Sequence, residues 1–253
     1  MAFSFRGGGG FCGIIRAMKT NTLLPAVAAL FAAGTAFGAI RAVTPAAWNG
    51  DPACWQQKRH AEKMAAVKGG GAKVVFIGDS ITHFWETKGK EQAKKYFSEG
   101  DMKMLNLGTS ADRTEHVLWR LDNGELDGYE AKCVLLMIGT NNREPVEDIA
   151  KGVRRVLDVI ARKQPQAKTL LLPIFVRGEG PNNARRIANE QVNAIIKGYA
   201  DGDKVIWCDF NAKFLDEKGD TQWIMRDRLH PGDAGYKIWT ESVLPYFKKI
   251  CGK

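Results

Sequence analysis

Three residues have the types and contexts needed for a serine hydrolase triad. Ser80 directly follows an apolar run at residues 73–77, and Gly78 permits a sharp turn there. Asp227 precedes His230 by three residues in a short polar stretch. A carboxylate at that spacing can fold back onto Nδ1 of the imidazole, which leaves Nε2 to accept the serine proton. Taken alone, Ser80 is better explained as a helix N-cap or turn residue, and the Asp227–His230 stretch as a surface turn, so only the combination is specific.

Among the four histidines of the chain, His230 has the most specific context. Pro231 biases it towards an extended conformation, off the helix predicted to follow. His60 lies in a charged helical stretch and is expected to be solvated. His83, three residues after the serine, and His116, on a predicted helix face, are weaker candidates for a catalytic base.

An oxyanion at the serine would need hydrogen-bond donors. Ser80 is predicted to begin a helix, where backbone N–H groups point outward. Gly108, after the second apolar run, can offer a backbone N–H at close range because it lacks a Cβ. Asn141, after the third run, can offer a side-chain amide. All are common loop residues, so the prediction depends on their shared location.

That location follows from short apolar runs that alternate with longer amphipathic stretches. The runs are strand-sized and almost continuously apolar, as strands buried on both faces are. The predicted strands lie at 73–77, 102–107, 133–138, 170–175 and 205–208, and the helices near 54–67, 88–97, 113–121, 146–163, 184–199 and 233–248. The alternation indicates a three-layer α/β/α sandwich with a five-stranded parallel sheet. Ligands bind at the carboxyl edge of such sheets, where the polar loops gather.

Four sequence blocks resemble those that define the SGNH, or GDSL-like, serine hydrolases. In the family's order, over roughly residues 70–248, they are Gly78-Asp79-Ser80, the Gly108 loop, Gly139-Thr140-Asn141 and Asp227-x-x-His230. Longer stretches are similar to the catalytic subunits of brain-type platelet-activating-factor acetylhydrolase. They lie at 76–82, 106–108, 112–121, 123–126, 136–142 and 229–231. Many bacterial sugar O-acetylesterases share this pattern.

The resemblance implies a flavodoxin-like fold and a role for each matching residue. Ser80 would attack the acyl carbonyl, His230 would act as base and then as acid, and Asp227 would orient it. The backbone N–H groups of Ser80 and Gly108 and the amide of Asn141 would hold the oxyanion. No cofactor and no metal are implied.

Five further residues are candidates for the substrate pocket. In the acetylhydrolase branch, the residues after the nucleophile and before the histidine wall a small acyl pocket. Here these are Ile81 and Leu229, whose bulk favours acetyl over long acyl chains. Asp79 adjoins the nucleophile, and Arg113 and Arg177 follow the second and fourth strands.

Other positions leave alternatives open. For Arg113 we favour a structural ion pair with Asp112. The acetylhydrolase branch usually has glycine where this chain has Ala111, which affects the expected shape of that loop. Arg226 and Arg228 flank the triad aspartate and are expected either to be solvated or to contact an anionic substrate such as an acidic sugar.

Residues 1–38 are predicted to form a secretory signal peptide. They hold three basic and no acidic residues, an apolar Ala-rich run at 23–37, and small residues suited to cleavage near 38–39. A membrane anchor is disfavoured because the run is short and contains Pro25. Met18 has a better start context than Met1, so residues 1–17 are a candidate misassigned extension.

The rest of the chain would then comprise an N-terminal segment with the first helix at 39–70 and the hydrolase domain at 71–253. We expect a secreted or periplasmic protein without stable membrane insertion. The net charge of +9 comes from dispersed basic residues, which does not favour nucleic-acid binding. The cysteines lack zinc-site spacing, and a disulfide between Cys54 and Cys251 is left open.

Three functional hypotheses remain. The first is an exported esterase that removes short acyl groups, chiefly acetyl, from small-molecule or glycan esters through an acyl-serine. The second is a short-chain phospholipid or lysophospholipid esterase. The third is a non-catalytic glycan-binding module. Trp85 and Trp223 could stack on sugar, although tryptophan is more often packed. The acetylhydrolase relatives can dimerise, so a homodimer is an open alternative.

Overall fold

The computed structural model describes residues 1–2, 40–48, 51, 53–70, 72–225 and 227–252. Apart from the first two residues, the predicted signal peptide lies outside the described residues, as does Arg226. The chain divides into two compact units, Met1–Phe37 and Gly38–Lys253, and the second unit contains all the described helices and strands.

Five parallel strands form one sheet in the order β2-β1-β3-β4-β5. Their bounds are β1 Val74–Gly78, β2 Met104–Asn106, β3 Cys133–Met137, β4 Lys168–Leu171 and β5 Val205–Trp207. This is the flavodoxin-like order, and it confirms the predicted fold class. The direction of strand addition reverses between β1 and β3, and ligand sites of open α/β sheets lie at such a switch point.

Seven α-helices connect or flank these strands within the described residues. Their bounds are α1 Trp55–Lys68, α2 Ser80–His83, α3 Lys90–Tyr96, α4 Thr114–Arg120, α5 Val146–Lys163, α6 Ala184–Ile196 and α7 Asp233–Cys251. A wide turn at Leu121–Glu125 follows α4, and Asn123 and Gly124 leave the helical conformation within it. The α5 helix carries acidic residues in its first turn and basic residues in its last, which complements the helix dipole.

The two faces of the sheet bury different cores because side chains alternate along each strand. Val75 and Ile77 point into a mostly aliphatic layer with α4, α5 and α6. Phe76 points the other way, into an aromatic layer that includes Trp239 and Phe247 of α7. Each strand is therefore apolar on both faces, which explains the continuous runs in the sequence.

The fourth predicted strand is displaced, since β4 runs over Lys168–Leu171 and not over 170–175. Pro173 has no N–H and cannot continue the ladder. The buried backbone beyond it is held by side chains instead: Ile174 N donates to Asn193 Oδ1 at 2.7 Å, and Asn193 Nδ2 donates back to Ile174 O at 2.8 Å. The chain thus stays apolar after leaving the sheet.

Cys54 and Cys251 are not joined by a disulfide. Cys133 and Cys208 are buried core thiols, as their apolar context predicts, and burial raises the pKa of both. Within the described part of the chain, no helix has the length and apolar character needed to cross a bilayer.

Candidate active site

The structure brings the three predicted triad residues together at the carboxyl edge of the sheet. Ser80 Oγ lies 2.8 Å from Nε2 of His230. Nδ1 of the same ring lies 2.6 Å from Asp227 Oδ2. The serine and histidine are 150 residues apart in sequence, so this continuous chain of hydrogen bonds is a product of the fold.

A tight turn holds the acidic member of the group. Asp227 Oδ1 accepts backbone N–H bonds from Leu229 at 3.1 Å and His230 at 2.8 Å, while Oδ2 faces the imidazole. Arg228 adopts a φ of 57°, the left-handed conformation that closes this turn. Partial burial raises the pKa of Asp227, but the hydrogen bonds from His230 and Leu229 outweigh it and hold the pKa below its usual value. Asp227 is therefore ionised and can stabilise an imidazolium.

Ser80 is positioned by the turn between β1 and α2. Gly78 is required because a Cβ there would lie 2.4 Å from the carbonyl oxygen of Met137. Asp79 caps α2 by accepting the N–H of Ile81 at 2.9 Å, and its other carboxylate oxygen is buried without a hydrogen-bond partner. Burial raises the pKa of Asp79 to about 7. Asp79 thus fixes the turn at which Ser80 begins α2.

The three predicted oxyanion donors differ in their present contacts. Ser80 is the first residue of α2, where backbone N–H groups have no intrahelical acceptor. The Gly108 N–H donates to Asn106 Oδ1 at 2.9 Å, and the missing Cβ makes room for the Thr82–His83 backbone. Asn141 donates one amide hydrogen to Asp112 O at 3.0 Å, which leaves its second for a ligand. Their roles in oxyanion binding stay predictions.

Behind Asn141 lies a buried ionic group that the sequence did not reveal. Arg120 donates two hydrogen bonds to Asp112 Oδ2, at 2.7 and 2.9 Å, and also pairs with Glu125. Trp48 Nε1 donates to the other oxygen of Asp112 at 2.7 Å. Burial raises the pKa of Asp112 to about 6, although Arg120 opposes the shift. Arg120 is thus shared by two carboxylates, and the group fixes the loop whose Asp112 carbonyl oxygen accepts the amide of Asn141.

The expected ion pair between Asp112 and Arg113 is therefore wrong. Asp112 pairs with Arg120, and Arg113 Nε lies 2.9 Å from Glu115 Oε1. The same carboxylate oxygen also pairs with Arg41, from the segment that precedes the first helix. Adjacency in sequence misled here because successive residues of the loop point in different directions.

The other three histidines have structural partners. His60 is not solvated as expected, because its Nδ1 lies 2.8 Å from Glu125 Oε1. His83 contacts Ser110 Oγ at 2.9 Å, and burial, aided by Arg59, lowers its pKa to about 4. His116 accepts the N–H of Arg113, and burial with that arginine lowers its pKa to about 3.

The remaining pocket candidates line or underlie the cleft. Ile81 is fully buried, and Leu229 is half-buried against the same aromatic core. Arg177 is half-buried and donates to the backbone and hydroxyl oxygens of Thr140, at 3.2 and 3.0 Å. Their roles toward a substrate stay predictions.

Two grooves flank the triad. One, with a volume of about 420 Å³, is lined by Arg177, Arg185 and Asp227 among others. The second, of about 630 Å³, is lined by His230 and by the exposed ring of Trp223. Trp85 is fully packed in the aromatic core, so of the two tryptophans considered only Trp223 can meet a ligand.

The arrangement suits acyl transfer without a metal. A hydroxyl, an imidazole and an ionised carboxylate are joined in that order by hydrogen bonds, as attack by a serine on an acyl group requires. Within the described ranges, no group of three or more His, Cys, Asp or Glu side chains could hold a metal ion.

Comparison with known proteins agrees with this chemistry. Residues 76–238 match the profile of the GDSL-like lipase/acylhydrolase family. The chain is 34% identical over 182 residues to platelet-activating factor acetylhydrolase IB subunit alpha1 of Rattus norvegicus, covering 70% of this chain and 75% of the relative. It is 39% identical over 125 residues to the human alpha2 subunit, covering 49% and 52%.

Solved structures share the fold at lower identity. Axe2, an acetylxylan esterase from Geobacillus stearothermophilus, superposes with a TM-score of 0.54 at 17% identity, over 73% of this chain and 95% of that one. The acetyl xylan esterase AlAXEase gives a TM-score of 0.58 at 19% identity, over 68% and 98%. The family match over most of the described unit is decisive: the chain belongs to the GDSL-like lipase/acylhydrolase family and is a carboxylic ester hydrolase.

Proposed function

We propose that this protein is an exported esterase that removes short acyl groups, chiefly acetyl, from carbohydrate through an acyl-serine intermediate. The observation that carries the proposal is the unbroken hydrogen-bonded path from Ser80 through His230 to Asp227. The acetyl preference is supported by bulky Ile81 and Leu229 beside the triad and by relatives named as acetylhydrolases. Carbohydrate is supported by exposed Trp223 near His230 and by structural neighbours named as acetylxylan esterases.

The geometry prescribes the order of bond changes. Ser80 Oγ attacks the acyl carbon while its proton moves to Nε2 of His230, and the carbonyl oxygen takes the displaced electron pair. As that oxyanion collapses, the bond to the sugar oxygen breaks and the Nε2 proton passes to the departing alcohol. Water then attacks the acyl-serine and gives its proton to Nε2. When this second intermediate collapses, the bond between the acyl carbon and Ser80 Oγ breaks, the Nε2 proton returns to Oγ, and the carboxylic acid leaves.

The proposal is tested by purifying the protein and measuring acetate release from a panel of acetylated sugars, with 4-nitrophenyl acetate as a reference ester. Ser80→Ala should lower kcat by about 10⁴-fold or more, and His230→Ala comparably, because triad members act as a unit. Ser98→Ala, an exposed serine remote from the cleft, is the matched control and should retain wild-type turnover. Full activity in Ser80→Ala would remove Ser80 as the nucleophile.

A second candidate, a short-chain phospholipid esterase, is favoured by the identity to platelet-activating factor acetylhydrolase subunits. A series of 4-nitrophenyl esters and acetylated lysophospholipids separates the two. A rate maximum at eight carbons or more would contradict the preference for short acyl groups. Acetyl-phospholipid turnover well above that of every acetylated sugar would favour the lipid over carbohydrate. A fluorophosphonate probe tests the non-catalytic alternative, since a functional Ser80 should be labelled covalently.

The export step is tested separately by N-terminal sequencing of protein recovered outside the cytoplasm. We expect processing near residues 38–39. Full-length protein retained inside the cell would contradict export without affecting the esterase proposal.

A further inference from the structure

Three arginines lie close together beside the triad. Arg177, Arg185 and Arg143 lie around the loop that follows β3, where Asn141 is the predicted oxyanion donor. Among the residues that the structure describes, none of these three guanidinium groups forms an ion pair. Each donates instead to neutral oxygens of the loop: Arg177 to Thr140, and the other two to Asn142.

The three charges are held close together. Nη1 of Arg185 and Nη1 of Arg143 donate to the same carbonyl oxygen, that of Asn142, at 3.2 and 3.3 Å. Arg177 is bonded to Thr140, on the other side of Asn141. Burial and the two neighbouring arginines lower the pKa of Arg177, and the carboxylates of Asp79 and Asp227 oppose that shift without cancelling it. Charges arranged in this way repel one another unless an anion joins them.

The fold fixes these side chains in position. Asn183 caps α6 and accepts the backbone N–H of Arg185 at 3.0 Å, which sets the first turn of that helix. Arg185 is then half-buried, as is Arg177. Ordered guanidinium groups suit the bidentate recognition of carboxylate or phosphate better than mobile lysines do.

The groove in front of them has an excess of positive charge. Arg177, Arg185 and Arg228 line it, together with Glu179 and Asp227. Arg228 is paired with Glu179 and lies 3.6 Å from Asp220, whereas Asp227 is bound to His230. The Arg228–Glu179 pair is neutral, and the Asp227 carboxylate offsets only one of the two remaining arginines. The groove, which adjoins the triad carboxylate, therefore keeps one more positive charge than negative charge, and Arg143 lies behind it. The volume of about 420 Å³ lies within the usual range for small-molecule sites.

We propose that Arg177 and Arg185, backed by Arg143, bind an anionic oxyacid group, a carboxylate or a phosphate, on the alcohol portion of the ester substrate. This inference rests on the proposed function, since it names the substrate class for the same triad. It also revises the sequence expectation for Arg228, which is an ion-paired residue of the groove wall. An acetylated uronic acid, or an acetylated sugar that carries a phosphate, meets the requirement.

The experiment compares substrates that differ only in charge. One arm uses an acetylated hexuronic acid and its methyl ester; the other uses an acetylated sugar phosphate and the same sugar without phosphate. In wild-type protein we expect kcat/KM for at least one anionic member to exceed that of its neutral partner by about tenfold or more. The arm that discriminates identifies the anion.

Variants then assign the preference to residues. Arg185→Gln should reduce the ratio of anionic to neutral kcat/KM by about tenfold, mainly through KM, and Arg143→Gln by less because it is exposed. Arg162→Gln is the matched control: this exposed arginine ends α5, at the opposite edge of the sheet, and pairs with Asp122. It should keep the wild-type ratio.

The outcomes separate this inference from the proposed function. Robust turnover of 4-nitrophenyl acetate with no charge preference in either arm would overturn the anion site and leave the esterase intact. Loss of preference in Arg162→Gln as much as in Arg185→Gln would also overturn it, since general charge would then be responsible. Absence of turnover and of fluorophosphonate labelling would defeat the proposed function itself.

Discussion

Two arginine groups lie near the loop that carries Asn141, and they differ in charge balance. One fixes Asp112, whose carbonyl oxygen accepts the Asn141 amide, and the other donates to the loop itself. Behind the loop, Arg120 is fully buried between the carboxylates of Asp112 and Glu125. In front of it, Arg177 and Arg185 reach the loop through neutral oxygens and form no ion pair within the described part of the chain. Each charged side chain of the first group forms an ion pair inside the protein, whereas Arg177 and Arg185 of the second group form none within the described residues.

The difference in ion pairing separates arginines that stabilise the fold from arginines that can bind a ligand. A buried charge must be matched by its neighbours because desolvation costs several kcal/mol per ion. A charge at the rim is partly hydrated, so it can stay unmatched until a ligand arrives. Arginine thus stabilises the loop of Asp112 in the first group, and in the second group it is available to bind an anion. Four predictions test this distinction, in order of decreasing effect.

The largest effect is expected from Arg120→Met. It leaves Asp112 and Glu125 buried without their shared cation, and we expect the free energy of unfolding to fall by about 3–5 kcal/mol. Urea unfolding monitored by tryptophan fluorescence measures the change. Arg162→Met, which breaks an exposed pair, should cost no more than about 1 kcal/mol. Equal costs for the two variants would show that the buried group is not a structural unit.

The pKa of Asp79 depends on both groups, because Asp112 of the first group and Arg177 of the second act on its carboxylate. Burial raises its pKa to about 7; Asp112 adds to that shift, and Arg177 opposes it. The folded state therefore holds this proton to a higher pH than the unfolded state, whose pKa is near 3.8. The stabilisation is complete below about pH 4 and is lost as the pH rises to about 7, with a limiting slope of about 1.4 kcal/mol per pH unit.

Asp79→Asn isolates this contribution. The amide mimics the protonated acid, so the variant should lack that part of the decline between about pH 4 and 7. Unfolding free energies at several pH values provide the comparison with the wild type. Identical profiles would mean that Asp79 does not titrate in this range.

Salt should separate the groups with a smaller effect. Raising ionic strength from about 0.05 to 0.5 M should increase KM for the preferred anionic substrate several-fold, because screening acts strongly on exposed charges. The Arg120 group is dry, and the destabilisation caused by Arg120→Met should stay nearly constant over the same range. Steady-state kinetics and urea unfolding in matched buffers measure the two quantities. A KM unaffected by salt would argue that the rim arginines do not meet the substrate.

The strands and the triad could be predicted from the sequence because both depend on residues that are close together in the chain. Buried strands read as continuous apolar runs, and Ser80, Asp227 and His230 could be selected because each has a distinctive neighbour in sequence. β4 was displaced because Pro173 ends hydrogen bonding while the chain remains apolar. A search for apolar runs alone cannot detect that.

The two arginine groups could not be predicted from the pattern of neighbouring residues in the sequence. Arg120 is eight residues from Asp112 in sequence, and Trp48 is 64 residues from Asp112. Only the fold makes the three residues neighbours. Little in the sequence indicated the arginines beside the groove. Arg143 directly follows Asn142 after the third strand, and Arg185 comes two residues after Asn183, the N-cap of α6. The excess of arginines beside the groove depends on which carboxylates form ion pairs elsewhere, and the three-dimensional structure determines those pairs.

The smallest effect concerns the loop that carries Asp112. Ala111 has a φ of 66°, in the left-handed region that favours glycine, and this explains why glycine is usual there in the acetylhydrolase branch. Ala111→Gly relieves that strain but adds freedom to the unfolded chain, so we expect a net stabilisation of about 0.5–1 kcal/mol. The gain should vanish in an Arg120→Met background if the buried group is what forces Ala111 into this conformation. A double-mutant cycle by urea unfolding measures that coupling, and strict additivity would place the strain in the loop itself.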